Sequence, residues 1–101
     1  MRMMIDVSFP LEPFNTLVGN GTVGQKLQQI LDDIKPEAVY FSERHGQRGV
    51  VLIADVADPS RVPSIAEPFF LTFSASVEFH VVMSPDELAG AGLEELGKKW
   101  G

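Results

Sequence analysis

The chain has 101 residues, the length of one ordinary domain, and 45% of them are hydrophobic, enough for a packed core. Its formal net charge of −6 disfavours phosphate backbones and anionic membrane surfaces, so neither nucleic acid nor membrane is an expected partner. It has no cysteine, which excludes disulfides, thiolate nucleophiles, iron–sulfur clusters and cysteine-ligated zinc and fits a reducing, cytoplasmic setting.

Met3, Ile5, Val7 and Phe9 alternate with Arg2, Met4, Asp6 and Ser8, which predicts a first strand ended by Pro10 and Pro13. The charge and alternation there read as a strand and not as a secretory signal, and no apolar run approaches the roughly 18 residues of a membrane span. Phe14, Leu17, Val18, Leu27, Ile30, Leu31 and Ile34 then recur at helical spacing until Pro36. Gly19, Gly21 and Gly24 interrupt that run, and each costs a helix about 1 kcal/mol against alanine. The expectation is two helical pieces joined at Gly19-Asn20-Gly21.

Residues 37–43 read as a second strand through Val39, Tyr40 and Phe41, with a hairpin tip at His45-Gly46-Gln47. Residues 50–56 form a third strand that is apolar on both sides, the mark of a strand covered on both faces. Asp58 and Pro59 open a helix in which Val62, Ile65, Ala66, Phe69 and Phe70 form the buried side. Pro63 and Pro68 predict that it is short and irregular. Residues 76–83 alternate as a fourth strand. Ser84-Pro85-Asp86-Glu87 has the form of a capping box, and Leu88, Leu93, Leu96 and Trp100 stripe a last helix weakened at Gly90 and Gly92.

The predicted order, β-α-β-β-α-β with an added helix, is the split βαβ arrangement of an α+β, ferredoxin-like fold in one domain spanning 1–101. Met3, Ile5, Val7, Val50, Leu52, Ala54, Val77, Phe79 and Val81 would face the helices. Met4, Val51, Ile53 and Val82 would share the other face with Arg2, Asp6, Asp55, Glu78 and His80. A mixed face of that kind calls for a cover, and a second copy through a two-fold axis supplies one, so a homodimer is expected.

In this layout the chain resembles the dimeric α+β barrel superfamily. The likeness is strongest where Arg48-Gly49-Val50-Val51-Leu52-Ile53-Ala54-Asp55-Val56 leads through a short helix to Phe69-Phe70 and then to Val77-Glu78-Phe79-His80-Val81-Val82-Met83. Within that superfamily the pattern is similar to muconolactone isomerase-like proteins and small uncharacterised relatives. The resemblance is one of layout, with no diagnostic catalytic motif. It implies a group that includes isomerases, cofactor-free monooxygenases, dehydratases, haem-handling enzymes and regulatory ligand-binding modules.

Among residues able to carry chemistry, His80 stands out, because imidazole exchanges protons near neutral pH. Glu78 shares its face two residues away, and Asp6 comes within reach if the first and last strands are neighbours. A His–carboxylate pair suits proton abstraction and return. The alternative is that these are polar residues of a wet interface paired with Arg2. Arg44, His45 and Arg48 on the hairpin could meet a carboxylate, since guanidinium forks match carboxylates, or could form an ordinary solvated turn. Tyr40, Phe41, Phe69, Phe70, Phe73 and Trp100 could line an apolar ligand pocket or simply build the core.

Gly19-Asn20-Gly21-Thr22-Val23-Gly24 fits a dinucleotide-binding spacing, but no strand precedes it and no βαβ crossover surrounds it. Two histidines on different elements make no metal motif, and no cofactor is expected. The leading functional expectation is therefore a cofactor-independent enzyme, isomerase- or monooxygenase-like, acting on a small organic acid, with His80 as acid/base and Glu78 or Asp6 orienting it. The alternative is a non-catalytic homodimeric ligand-binding or stress-related module that uses Tyr40, Arg44, Phe69 and Phe70.

Overall fold

The alternation at the N-terminus becomes strand β1, Arg2–Ser8, in a computed structural model that describes residues 1–101. It is followed by α1 (Leu11–Gly19), α2 (Val23–Ile34), β2 (Ala38–Arg44) and β3 (Gln47–Asp55). Then come α3 (Arg61–Phe73), β4 (Ser76–Val81), α4 (Pro85–Ala89) and α5 (Leu93–Trp100). The strands form one open antiparallel sheet in the order β2-β3-β1-β4, so the first and last strands are neighbours. No helix is long and apolar enough to cross a membrane.

The two helical pieces expected before Pro36 are present. Gly21 adopts φ +76°, a conformation open to glycine, and the Asn20 Oδ1 accepts bonds from the Thr22 N–H and hydroxyl at 3.1 and 2.6 Å. The β2–β3 hairpin is tighter than the sequence suggests. Its tip is His45-Gly46, both at positive φ, as a two-residue turn matching the strand twist requires, and Gln47 already belongs to β3.

Two helical expectations need correction. The helix after Asp58 is not short: α3 runs 13 residues. Pro63 lies in its first turn, where the missing N–H has no partner to lose. Pro68 lies inside and costs about 3 kcal/mol, but burial of Ile65, Ala66, Phe69 and Phe73 outweighs this at about 1.5–3 kcal/mol per large side chain. Asp58 holds the approach to this helix, accepting bonds from the Ser60 N–H at 2.9 Å and from its hydroxyl. The last helix is not one helix but two. The chain breaks between Ala89 and Leu93, with Gly92 at φ +74°. The fourth strand also ends earlier than expected, leaving Val82 and Met83 beyond it.

The core lies between the helices and one face of the sheet. Ile5, Val7, Val50, Leu52 and Ala54 meet Phe14, Ile30, Ile65, Phe69 and Phe73, and Met3, Val39, Val77 and Phe79 pack at its margin. Phe9 sits edge-on to Phe14 and Phe73 at centroid distances of 5.1 and 5.0 Å. The register places Met4, Val51 and Ile53 on the opposite face, where they take no part in this core.

Candidate functional site

The pairing register sets rows of side chains across that opposite face. One row runs Tyr40–Val51–Asp6–Glu78, and the next runs Ala38–Ile53–Met4–His80. His80 and Glu78 are therefore neighbours on one strand, with Asp6 directly across from Glu78. The His80 Nε2 lies 3.2 Å from the Glu78 Oε2, and both side chains are open to solvent.

Asp6 is engaged elsewhere. The Arg44 Nε donates to its Oδ1 at 2.8 Å, in a partly buried ion pair that spans β3. Gly49 makes that crossing possible: a Cβ there would lie 2.7 Å from the Arg44 Cγ. Only the Nε of Arg44 is used in this bond, so the other guanidinium donors remain for an incoming acceptor. Asp6, Ser8, Arg44, His45, Ser76 and Glu78 line a small polar cleft of about 100 Å³. His80 stands next to this cleft in register and not among its lining residues.

Arg2 does not join this group. It binds Glu37 through Nε at 3.0 Å, and that bond together with the Glu37 charge raises its pKa. The hairpin's basic residues divide between the faces. Arg48 turns toward the helices, with its guanidinium carbon 4.4 Å from the centre of the Phe14 ring. Of the three, Arg44 and His45 reach the cleft.

The aromatic residues do not converge within one chain. Phe69 and Phe73 are core, Phe70 is exposed on α3, Phe41 is exposed at the sheet edge, and Tyr40 lies on the other face of the sheet from Phe69. Trp100 stands far along the chain on α5, exposed. A larger depression, about 570 Å³, lies between α2 and α3 and is lined by Ile30 with Lys26, Gln29, Asp32, Asp33, Pro68 and Thr72. It is an open groove on the helical side of the sheet, away from His80. No group of three or more histidine or acidic side chains is placed to hold a metal ion.

Sequence reading did not single out Gly49, Ser8 or Ser76. The register signal was available, since all three fall on the non-core face of their strands, even-numbered in β1 and β4 and odd-numbered in β3, but pairing partners cannot be read from one strand alone.

No known family model and no curated protein matches the chain. Among solved structures, the de novo designed protein Ferredog-Diesel is similar over 80% of this chain and 85% of its own, at 12% identity and a TM-score of 0.45. No family match supports the expected likeness to muconolactone isomerase-like proteins. What the geometry establishes is an α+β chain with an open four-stranded antiparallel sheet, five helices and one uncovered sheet face bearing a polar cleft.

Proposed function

We propose that this chain is a ferredoxin-like protein that pairs with a second copy through its open sheet faces, in the manner of the dimeric α+β barrels, and binds a small organic acid between them. The central position of β1 between β3 and β4 supports the fold reading. Met4, Val51 and Ile53 give the open face an apolar centre that gains by being covered. Two sheets stacked about 10 Å apart would turn the shallow cleft into an enclosed one.

The observation that carries the binding reading is Arg44. Its guanidinium is fixed in place by Asp6 at 2.8 Å yet keeps donors free at a polar cleft. A carboxylate is the group such a fork recognises. The test combines sedimentation with titration of benzoate, followed by two-dimensional NMR. A dimer with resonance changes at Arg44, His45, Ser76 and Glu78 is expected. A monomer, or changes confined to the α2–α3 groove, would overturn the reading.

A second reading, a cofactor-independent acid/base enzyme, is favoured by the 3.2 Å contact between His80 and Glu78. The imidazole would take a proton from carbon next to the acid's carbonyl and return it, with the carboxylate stabilising the imidazolium. Its test is catalysed exchange of solvent deuterium into a carbon acid such as phenylpyruvate. Exchange at the uncatalysed rate, or undiminished in His80→Asn, would sink it.

A further inference from the structure

The segment after β4 contributes nothing to the core of its own chain. The 13 residues of the core cluster include none beyond Ala75, and α4 and α5 bury no residue. Yet the segment is not a polar tail. Leu93, Leu96 and Trp100 recur at three- and four-residue spacing on α5, with Leu88 ahead of them on α4, while Glu94, Glu95, Gly97, Lys98 and Lys99 occupy the remaining positions of α5. All four apolar side chains are exposed, Trp100 to 77%.

The shape points the same way. The chain measures 60 × 28 × 20 Å, whereas its longest strand, β3, accounts for only about 30 Å. Its radius of gyration is 17.0 Å, against about 13 Å for a compact chain of this length. The exposed area is 6778 Å², about 1,100 Å² more than the about 5,700 Å² of a compact monomer of this mass. A standard stable interface takes about 800 Å² from each partner. The excess area is thus of the size that a dimer needs, and α4 and α5, which bury no residue, contribute to it.

We propose that α4 and α5 form an exchanged arm that clasps a second copy of this chain, the Leu88–Leu93–Leu96–Trp100 stripe of each protomer packing on the body of the other. Reciprocal exchange follows from two-fold symmetry. The body offers apolar side chains of its own along the β2 edge, Phe41 exposed on the helical face and Tyr40 on the open one, and the strand's outer backbone groups are unpaired. The proposal rests on the pairing proposed above and adds to it which segment locks the pair.

Trp100 is the only tryptophan, so its emission reports on the arm alone. The experiment is a dilution series of the full chain read by sedimentation and by Trp100 emission and acrylamide quenching, repeated on the Leu93→Glu/Leu96→Glu double variant. The expected result is a dimer with blue-shifted, shielded Trp100 that reddens as mass falls on dilution. The double variant, whose replaced side chains lie outside the core, keeps its far-ultraviolet spectrum but dissociates at least tenfold more readily, with Trp100 exposed. A dimer with solvent-exposed Trp100, or a double variant that dimerises as well as the parent, overturns the arm while leaving face-to-face pairing intact. A monomer overturns both, whether Trp100 is exposed or folded back on its own body.

Discussion

Arg44 on β2 crosses over Gly49 on β3 to bond Asp6 on β1, its Nε 2.8 Å from the Asp6 Oδ1. Three strands are thus tied by one ion pair on the uncovered face, and the residue with no side chain is what lets the guanidinium stem pass. An added methyl would lie 2.7 Å from the Arg44 Cγ and 3.1 Å from the Val7 carbonyl oxygen, and the second neighbour is backbone that cannot swing away.

Gly49→Ala is therefore expected to displace Arg44 and to destabilise the chain by about 1–2 kcal/mol, despite the alanine's lower unfolded-state entropy. Urea denaturation measures it. In an Asp6→Asn background, where the ion pair is already lost, the same substitution costs less, so the two changes are not additive. Equal costs in both backgrounds would show that the strain falls on Val7 and not on the ion pair.

The core prediction concerns Phe9, which is fully buried between Phe14 and Phe73. Phe9→Ala removes a ring from a close-packed aromatic cluster and should cost about 3–5 kcal/mol. That is a large share of the about 5–15 kcal/mol typical of a whole domain. Tyr40→Ala, on an exposed sheet edge, should cost less than about 1 kcal/mol in the isolated chain. Denaturant midpoints for the pair separate the buried face from the open one.

Much of this architecture is legible in the sequence. Alternation divides Ile5, Val7, Leu52 and Ala54 from Met4, Asp6, Val51 and Ile53 without reference to any structure, because a strand's period of two is strict. Ser84 and Glu87 announce a helix start that the structure contains in full. What sequence reading missed depends on tertiary compensation. Pro68 signals a break, and only the burial of Phe69 and Phe73 behind it explains why α3 continues. The glycines at 90 and 92 signal weakness, but a full break shows only when no packed surface holds the helix together. The site was half visible: a His80–Glu78 neighbourhood follows from i, i+2 spacing, whereas the Arg44–Asp6 pair joins residues 38 apart through a register that no local pattern encodes.

Arg44 and His80 are expected to separate in their effects. Arg44→Gln should weaken benzoate binding at least tenfold, since one charge-assisted carboxylate contact is worth about 1.4 kcal/mol or more. His80→Asn should leave binding within about threefold and stability within about 0.5 kcal/mol, because its side chain is solvent-exposed and outside the cleft lining, whereas Glu78→Gln removes a like charge from that lining and should strengthen binding. Calorimetric titration and thermal melts decide. Equal losses from Arg44→Gln and His80→Asn would move the carboxylate site from the cleft toward His80.

The capping box at the start of the arm gives a pH dependence whose sign is fixed. The Glu87 N–H donates to the Ser84 Oγ at 3.1 Å, and the Ser84 N–H donates to the Glu87 Oε1 at 2.9 Å. That backbone bond is the main reason the Glu87 carboxyl is held below its ordinary pKa. A depressed carboxyl pKa favours the folded helix start at every pH above the unfolded value, about 4.3 for glutamate. The contribution falls as the pH drops from there through the lower folded value. The Ser84 amide resonance should hold its position at neutral pH and move toward its unfolded shift only below about pH 4. Ser84→Ala should lower the helical population of α4 about fivefold at any pH, read from Cα chemical shifts. Glu87→Gln supplies the control: glutamine can still accept the Ser84 N–H, so the cap persists while its acid transition disappears. A transition that survives in Glu87→Gln would place the titrating group outside the capping box.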